Sequence, residues 1–496
     1  MNFLYYDLIF LALFCLSMVL IFLKNKKNVK VESRFFILYK TKVGLKIINF
    51  IGNRFKKTLK ILSYIVMATG YMLMALAVFL FVQMIASVIK MPEILKIAKV
   101  PPIMPLIPYL PQMFNIDFLP PFYFTYWIIA IAIIAVFHEG AHGIFAKFYK
   151  VKVKSTGFGF LGPFLAAFVE PDEKQLAKKR GREQIAILAA GSFANLLMAL
   201  IFIALIALFF YFFFSPQGVQ FETYASSAIN ISSITAISGI SIENPSIQDI
   251  ALAMQNLNTI DVNLKVDRKT INLTKIETLD GTYFAVTKNL KSELKQEMKK
   301  GNSSVQQLLV FDDTPALHAG LQGAITKIDS ATIRNLDEFE AQLLKYKPND
   351  EVIIETKNKD SYNYYKVRLA ARHENKSLAY LGVGFINVKA RTGILGYIGR
   401  IINKLKNPTI FYLPKYSPGL TIFVYNLLWW IIMINLSVAI MNMLPLGIFD
   451  GGRVFYLTIL AITKSKKKAG LIFKIMTYLL LGLVIALTVM WVIVMI

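Results

Sequence analysis

Six apolar runs, each long enough to cross a bilayer, constrain the fold of this chain more than any other feature. A spanning segment needs ~20 apolar residues, and its backbone polar groups must bond to one another in hydrocarbon, so each run is predicted to be a helix. With 56% hydrophobic residues among 496, the composition is that of a polytopic α-helical membrane protein. The predicted spans are 3–23, 61–89, 122–148, 185–214, a fifth from about 420 and a last one that ends at 496.

The distribution of charge predicts how the spans are oriented. The formal net charge of +25 is concentrated in short segments beside the apolar runs, which favours orientation and lipid contact over nucleic-acid binding. Residues 24–60 contain twelve Lys or Arg and one acidic residue, so they are predicted to be cytoplasmic. The basic segments 172–183 and 464–468 fit the same side if both termini lie outside. Six cations between 389 and 415 disagree, but the charge rule weakens after a long translocated domain.

Three shorter segments between the spans have distinctive compositions. Residues 38–55 mix aromatic and cationic residues at helical spacing, which predicts either an amphipathic segment on the inner leaflet or a solvated connector. Residues 91–121 hold eight prolines and predict an irregular external loop. The apolar, glycine-rich segment 155–171 predicts a short hairpin that dips into the membrane. Such a hairpin either offers an edge to an extended substrate or only packs the bundle.

The sequence FHEGAHG, residues 137–143, places two histidines and a carboxylate inside the third span. On a helix His138 and His142 share one face, so both imidazoles can reach one tetrahedral metal ion. Glu139 lies beside them, in the position of the general base of a zinc hydrolase. A charge near the bilayer centre costs ~2.5–3.5 kcal/mol, which makes an ionisable residue there functional by default. A rise of ~1.5 Å per residue puts His138 roughly 24 Å deep in a ~30 Å core.

The fifth span ends in a second polar motif, NMLPLGIFDGGR, residues 442–453. Pro445 and Gly447 end the helix and are predicted to leave irregular backbone with unpaired carbonyls and amides. Asp450 follows, either as a simple helix cap or as a third ligand that reaches the depth of the histidines from the same direction. Two histidines and one carboxylate leave a catalytic zinc ion one open position for water. The single cysteine, Cys15, excludes a thiolate cluster and an internal disulfide.

Three amides are predicted to bind substrate. Asn195 is a lone amide in a run of small residues at the head of the fourth span, where close helix packing is the alternative explanation. Asn435 and Asn442 lie seven residues apart on one face of the fifth span. Together with the loop 442–449, these amides offer partners that hold a substrate helix unwound or stabilise a developing oxyanion.

The composition changes between 215 and 385, where charges return and apolar residues alternate, which predicts a soluble insert. The segments 233–244 and 324–335 match at a constant offset of 91 residues, so two tandem copies of one unit are predicted, at about 215–300 and 305–390. The offset pairs isoleucines and a final asparagine: Ile234 with Ile325, Ile237 with Ile328, Ile242 with Ile333 and Asn244 with Asn335.

The second copy resembles a PDZ domain, and GVGF at 382–385 is similar to the peptide-carboxylate loop of that family. The resemblance implies a tandem α+β PDZ-like insert, which either binds an extended peptide by strand addition or acts as a size filter. Four glycosylation sequons agree with an extracytoplasmic insert; they begin at Asn230, Asn272, Asn302 and Asn375.

In combination, these motifs resemble the site-2 protease family of intramembrane zinc metalloproteases, in a form similar to its archaeal and bacterial members. The resemblance rests on HEGAH in an early span, GSFAN (191–195) heading the next, the PDZ-like modules, NxxP, and an aspartate-glycine pair. It implies that His138, His142 and Asp450 bind one zinc ion and that Glu139 is the catalytic acid and base. It also implies that Asn442 and Pro445 belong to a substrate-handling loop. The implied substrates are single-span membrane proteins, cut in regulated intramembrane proteolysis.

Two other functions compete with this interpretation. A metal-ion transporter would need polar residues along the outer halves of the third and fifth spans, and these offer almost none. A catalytically silent PDZ scaffold would be expected to lack the glutamate or a ligand, and none is missing. The predicted domains are 1–60 (first helix and basic segment), 61–214 (helices two to four), 215–390 (the insert) and 391–496 (helices five and six).

Overall fold

The computed structural model divides the chain into two compact units. The membrane unit comprises Met1–Phe209 and Gly419–Ile496, and the inserted unit comprises Phe210–Pro418. The structure describes residues 3–24, 29–33, 36–42, 44–90, 104–114, 116, 119–161, 164–243, 245–255, 262–266, 269–300, 307–358, 361–372, 375–385 and 406–495.

The membrane unit is built of helices, as the sequence predicted. The helices are α1 (Phe3–Lys24), α2 (Leu45–Arg54), α3 (Lys56–Lys90), α4 (Leu110–Met113), α5 (Phe124–Phe148), α6 (Glu173–Ala177), α7 (Gly181–Phe213), α12 (Pro418–Met441), α13 (Asp450–Thr463) and α14 (Lys466–Met495). Six of them are long and apolar enough to cross a membrane: α1, α3, α5, α7, α12 and α14. The prediction of six spans is therefore confirmed for the described residues. Helices α3 and α7 start before the predicted spans because the polar residues ahead of each apolar run are also helical.

Helix α5, which carries HExxH, is the most buried of the six. Its N-terminal half packs into an apolar core that it shares with α12, in which Phe122 stacks on Trp430 with ring centroids 4.0 Å apart. The indole of Trp430 also donates a hydrogen bond to the carbonyl of Pro121 at 3.1 Å. Aromatic pairs add ~0.5–1.5 kcal/mol beyond their buried area, so these contacts fix the start of α5 against α12.

The start of α5 is also held by a carboxylate from the first helix. Asp7 of α1 is 1% exposed and accepts hydrogen bonds from the amides of Phe124 and Thr125, at 2.8 and 2.9 Å, and from the hydroxyl of Tyr109 at 2.6 Å. The first amides of a helix have no partner within that helix. Asp7 satisfies two of them from another helix, so α1 is tied to the helix that carries the histidines.

We expect Asp7→Ala to lower the free energy of unfolding by about 1–3 kcal/mol, since it leaves the buried amides of Phe124 and Thr125 without their acceptor. Thermal unfolding of the purified protein in detergent measures this change. Ser17→Ala is the matched control, because the Ser17 hydroxyl lies on the same helix, is exposed and bonds only to Phe14 of its own helix. Equal melting temperatures for the two variants would contradict the role given to Asp7.

The proline-rich loop that the sequence predicted over 91–121 falls partly outside the described residues, which begin again at 104. The described part contains α4 and irregular backbone, and the Tyr109 amide donates to the Phe122 carbonyl at 2.7 Å. This bond brings the hydroxyl of Tyr109 within reach of Asp7.

A four-stranded antiparallel sheet completes the membrane unit. Its strands are β1 (Val29–Ser33), β2 (Phe36–Thr41), β3 (Val153–Leu161) and β4 (Phe164–Pro171), in that order. The predicted hairpin is present as β3 and β4, but its pairing with β2 was not predicted. The Lys40 ammonium reaches across to Glu170 at 2.8 Å, and together with the Ser155 hydroxyl it lowers the pKa of the Glu170 carboxyl.

The segment 38–55, predicted as either an amphipathic segment or a solvated connector, is helical over only part of its length. Residues 38–41 belong to β2, and only Leu45–Arg54 form a helix. The helical spacing of aromatic and cationic residues over 38–55 hid this strand, which forms because β3 offers a partner over six residues. Gly44, whose φ of 86° is left-handed, separates the strand from α2.

The described residues of the inserted unit form two main sheets and four α-helices. The helices are α8 (Ile247–Gln255), α9 (Thr287–Lys300), α10 (Pro315–His318) and α11 (Leu336–Leu343). The strands are β5 (Phe214–Val219), β6 (Thr223–Tyr224), β7 (Ser226–Asn230), β8 (Ile234–Ile237), β9 (Ile240–Ser241), β10 (Val262–Val266), β11 (Lys269–Thr278), β12 (Gly281–Val286), β13 (Gln307–Asp312), β14 (Ala324–Ile328), β15 (Ala331–Thr332), β16 (Glu351–Lys357), β17 (Tyr362–Arg368), β18 (Ala370–Ala371), β19 (Ala379–Tyr380), β20 (Val383–Gly384) and β21 (Ile410–Pro414). One main sheet has the order β7-β13-β12-β11-β8-β9 with β10 on β11, and the other has the order β17-β16-β14-β5-β21 with β15 on β14.

The internal repeat corresponds to a repeated order of elements. Two strands, a helix and two further strands run from β8 to β11 and recur from β14 to β17. The matched isoleucines Ile234 and Ile237 lie in one core, and Ile325 and Ile328 lie in the other. The pairing nevertheless differs, because β8 pairs with β11 whereas β14 pairs with β16. In the first copy the N-terminal half of the long strand β11 pairs with β10, and its C-terminal end pairs with β8.

Candidate metal centre and active site

The two histidines of HExxH face each other one turn apart on α5. His138 Nε2 and His142 Nε2 are 3.2 Å apart, and the two rings are nearly perpendicular at 81°. His138 is buried, with 6% of its surface exposed. The helix therefore delivers two nitrogen lone pairs to one point inside the membrane unit.

Asp450, the first residue of α13, completes this cluster. Its Oδ2 lies 3.3 Å from His142 Nε2 and 3.7 Å from His138 Nε2. The alternative of a simple helix cap is not what the structure shows, because Phe449 is the capping residue and no side chain caps this helix. The carboxylate points instead at the imidazoles, and these three residues are a candidate metal site.

The spacing of the three atoms fits a tetrahedral metal ion. Ligands at 2.0–2.2 Å from a tetrahedral centre are about 3.3–3.6 Å apart. The observed separations of 3.2, 3.3 and 3.7 Å bracket this range. Two imidazoles and one carboxylate also match the donor set of catalytic zinc, which leaves a fourth position open.

Helix α7 orients the two imidazoles. His142 Nδ1 donates a hydrogen bond to the backbone carbonyl of Ile187 at 2.7 Å, which leaves its Nε2 with a lone pair in the neutral ring. Gly191, one turn further along α7, lies directly against both rings. A methyl group there would come within 2.7 Å of His138 Nε2 and closer still to His142 Nε2. Only glycine lets α7 approach the site this closely.

Asn195, which the sequence predicted as a substrate-binding residue, lies behind His138. Its side-chain nitrogen is 2.9 Å from His138 Nδ1, the residue is fully buried, and its Oδ1 has no partner among the described residues. A half-turn of the terminal amide exchanges the two atoms, so that Oδ1 accepts a hydrogen bond from Nδ1–H. That orientation pairs the buried oxygen and leaves His138 Nε2 free to bind a metal.

The other predicted substrate-binding residues are spread along α12 and the turn that follows it. Asn442 Nδ2 lies 3.4 Å from His138 Nε2, at the edge of the metal site. Asn435 is fully buried two turns away and donates to the Ile431 carbonyl of its own helix at 2.8 Å. Pro445 is buried in the turn between α12 and α13. The structure thus brings Asn442 and Asn195 to His138, and it does not bring Asn435 there.

The turn between α12 and α13 holds Asp450 in place. The expectation of unpaired backbone there is largely wrong, since the amides of Met443, Leu444 and Phe449 donate to carbonyls within the turn or the last turn of α12. The Gly451 amide donates to the Asn442 carbonyl at 2.7 Å. Side chains on Gly451 or Gly452 would collide with the backbone of Met443 or Leu446, respectively, so the glycine pair allows the turn to fold tightly over the start of α13.

Glu139 is engaged by the sheet. Its Oε2 accepts a hydrogen bond from the amide of Val169 in β4 at 2.9 Å. Strand β4 is an edge strand of its sheet in the described part of the chain, so Val169 offers this amide on the side opposite β3. The glutamate therefore links the HExxH helix to the edge of β4 that no other described strand pairs with.

The sequence analysis missed three contacts at or near the site. The Ile187 carbonyl and the Val169 amide are backbone groups, and no residue type marks them. Arg453 of α13 forms a two-pronged ion pair with Glu173 of α6, with nitrogen–oxygen distances of 2.9 and 3.3 Å. The arginine directly after DGG was the available signal for that pair.

An HExxH helix and an aspartate brought together inside a bundle of membrane-length helices define the class of intramembrane metalloproteases. A family model described as Peptidase family M50 matches residues 126–483, well over half of the chain. The chain belongs to this family, the site-2 protease family of metalloproteases, as the sequence motifs predicted.

A relative in Methanocaldococcus jannaschii, an uncharacterized protein, is 49% identical to this chain over 82 residues. The matched segment covers 16% of this chain and 22% of that protein, so the chain spans about a fifth of the length of this relative. The similarity is therefore local, and the family assignment rests on the longer family match.

Proposed function

We propose that the protein is an intramembrane zinc endopeptidase that cuts the transmembrane segments of single-span membrane proteins. The observation that carries this proposal is the convergence of His138 Nε2, His142 Nε2 and Asp450 Oδ2 at tetrahedral spacing. Family membership supports the proteolytic chemistry. The six membrane-length apolar helices of the membrane unit support a substrate that is itself embedded in the membrane.

The proposed roles follow from what each side chain touches. His138, His142 and Asp450 hold zinc, which when bound acts as a Lewis acid on water and on the scissile carbonyl. The Glu139 carboxylate accepts a proton from the attacking water and passes it to the leaving amine nitrogen. The Asn442 side-chain nitrogen, 3.4 Å from His138 Nε2, donates to the oxyanion that develops on the carbonyl.

Strand β4 is the proposed binding edge for substrate. A helical peptide bond is a poor target because its carbonyl is already bonded, so substrate must be extended where it is cut. An extended segment gains main-chain hydrogen bonds by adding to an open strand edge. Val169, whose amide bonds Glu139, lies on this edge. A substrate strand that takes this amide releases the glutamate for proton transfer.

The inserted unit is proposed to be a tandem PDZ-like domain outside the cytoplasm. The repeated order of elements supports a duplicated module, and so do the matched isoleucines, which occupy the core of each copy. Strand β20, which lies in the GVGF segment, is already paired with β6 of the same chain. This pairing favours size exclusion of bulky substrates over capture of a peptide by this edge. The assignment to regulated intramembrane proteolysis follows from the family resemblance.

Cleavage in proteoliposomes tests the proposed function. The purified protein and a single-span model substrate are reconstituted together, and products are followed after zinc removal by a chelator and after zinc is restored. The proposal predicts cleavage within the membrane segment that stops on chelation and returns with zinc. Cleavage that is insensitive to chelation, or confined to residues outside the membrane, would contradict it.

Asn195 is expected to act on the metal through His138. Asn195→Leu keeps the number and branching of the side-chain heavy atoms but removes the acceptor for Nδ1–H, so zinc affinity should fall by about 10–100-fold. Asn195→Asp keeps an acceptor oxygen and is the matched control, which should bind zinc at least as well as the native protein. Competition with a chromophoric chelator measures both affinities. Equal affinity for both variants would show that Asn195 only packs the helices.

A further inference from the structure

Helix α2 presents an outer face that combines large apolar side chains with cations. Ile47 and Phe50 are 64% and 63% exposed, and Phe55 just beyond the helix is 48% exposed. Lys46 and Arg54 are exposed on the same short helix. Aromatic and aliphatic groups flanked by cations are the composition of helices that lie in a membrane interface.

The charge around this face is of one sign. Residues 42–60 contain six Lys or Arg and no Asp or Glu. Within the described part of the chain, Lys46, Arg54 and Lys57 form no ion pair. A basic patch without acidic partners attracts anions. The apolar side chains beside it favour an anion that also carries an apolar part over a small water-soluble anion. An anionic phospholipid satisfies both requirements, since its head group meets the cations and its acyl chains meet Ile47, Phe50 and Phe55.

The inner face of α2 is seated on the helix that carries the histidines. Ile48 is buried against Gly143, where an added methyl would come within 2.8 Å of the Ile48 side chain. Gly52 lies against Lys147 and the carbonyl of Ile144, with a similarly close approach. These two glycine contacts hold α2 against the last turns of α5, beginning one residue after His142. The family match begins only at residue 126, so it does not include α2.

We propose that α2, with Phe55 and the start of α3, is a binding surface for anionic phospholipid, held directly against the HExxH helix. The surface fixes the depth of α2 in the leaflet, and α5 is attached to it through Ile48 and Gly52. This inference does not require proteolytic activity, so it stands or falls separately from the proposed function.

Lipid-specific fluorescence quenching in the full-length protein tests this surface. Cys15, the single cysteine, is replaced by serine, and Phe50→Cys carries a bimane label. The protein is reconstituted into phosphatidylcholine vesicles in which the mole fraction of brominated phosphatidylglycerol, or of brominated phosphatidylcholine, is raised over the same series of values. We expect brominated phosphatidylglycerol to reach half-maximal quenching at a several-fold lower mole fraction than brominated phosphatidylcholine.

Removing cations from the surface should remove the lipid preference. The triple variant Lys46→Gln, Arg54→Gln, Lys57→Gln should lose the preference for phosphatidylglycerol over phosphatidylcholine, so that the ratio of the two quenching mole fractions falls toward one. Each cation contributes about fivefold to the attraction for an anionic surface. The matched control, Lys466→Gln, Lys467→Gln, Lys468→Gln, removes three cations from α14 and should keep the preference. Equal quenching by both lipids in the parent protein would overturn the selectivity. Absence of quenching by either lipid would show that the face does not lie in a leaflet.

Discussion

Replacing Glu139 by glutamine is expected to lower cleavage of a single-span substrate by about 10²–10⁴-fold, the usual contribution of general acid–base catalysis. Glutamine has the same size and can still accept the Val169 amide hydrogen bond, but it cannot take a proton from water. Zinc content should be unchanged, because Glu139 is not one of the three converging groups. Initial rates in proteoliposomes and metal analysis of the same sample measure both quantities.

The control for this variant is Glu351→Gln, in strand β16 of the inserted unit. Glu351 pairs with Lys366 and Arg368 and belongs neither to the metal site nor to the proposed binding edge. It should retain most of the activity. Full turnover by the Glu139 variant would reject the role of this carboxylate, and loss of zinc from it would show that Glu139 also supports the metal.

Gly191→Ala is expected to prevent zinc binding at the affinity of the native protein. The added methyl would lie within 2.7 Å of His138 Nε2 and nearer still to His142 Nε2, so either the imidazoles or helix α7 must move. Displaced ligands lose the tetrahedral spacing, and we expect zinc affinity to fall by at least the ~10–100-fold seen when supporting groups are lost. Chelator competition measures the affinity, and cleavage should fall in parallel.

The matched control is Gly181→Ala on the same helix, because a methyl group at Gly181 would meet nothing within 4 Å. It should bind zinc normally. Normal zinc affinity in the Gly191 variant would mean that α7 can shift away from the imidazoles without disturbing them. The close approach of this helix would then have no role in shaping the site.

The parts of the site that the sequence predicted are those encoded by local spacing. His138 and His142 are four residues apart, so they share one face of an α-helix. The predicted depth of Asp450 at the end of the fifth span was the same as that of the histidines, which indicated that they meet. The repeat at an offset of 91 residues likewise corresponds to buried core positions such as Ile237 and Ile328. In each case residue type and spacing carried the information.

The unpredicted parts depend on contacts between distant segments. The addition of β2 to the hairpin required the β3 edge, and the helical spacing of aromatic and cationic residues over 38–55 favoured a helix instead. Asp7 was only a charge near the chain start until Phe124 and Thr125 were brought to it. The Ile187 carbonyl and the Val169 amide have no side-chain signature at all. Asn195 was placed in substrate binding because the sequence did not reveal that His138 would lie against it.

We propose that two imidazoles and one carboxylate, carried by α5 and α13, hold one zinc ion. Zinc K-edge X-ray absorption of the purified protein, compared with Asp450→Ala and His142→Ala, tests it most directly. We expect four nitrogen or oxygen ligands near 2.0–2.1 Å, two of them imidazoles, in the native protein. One imidazole should remain in the histidine variant and two in the aspartate variant. An imidazole shell that is the same in all three proteins would contradict it.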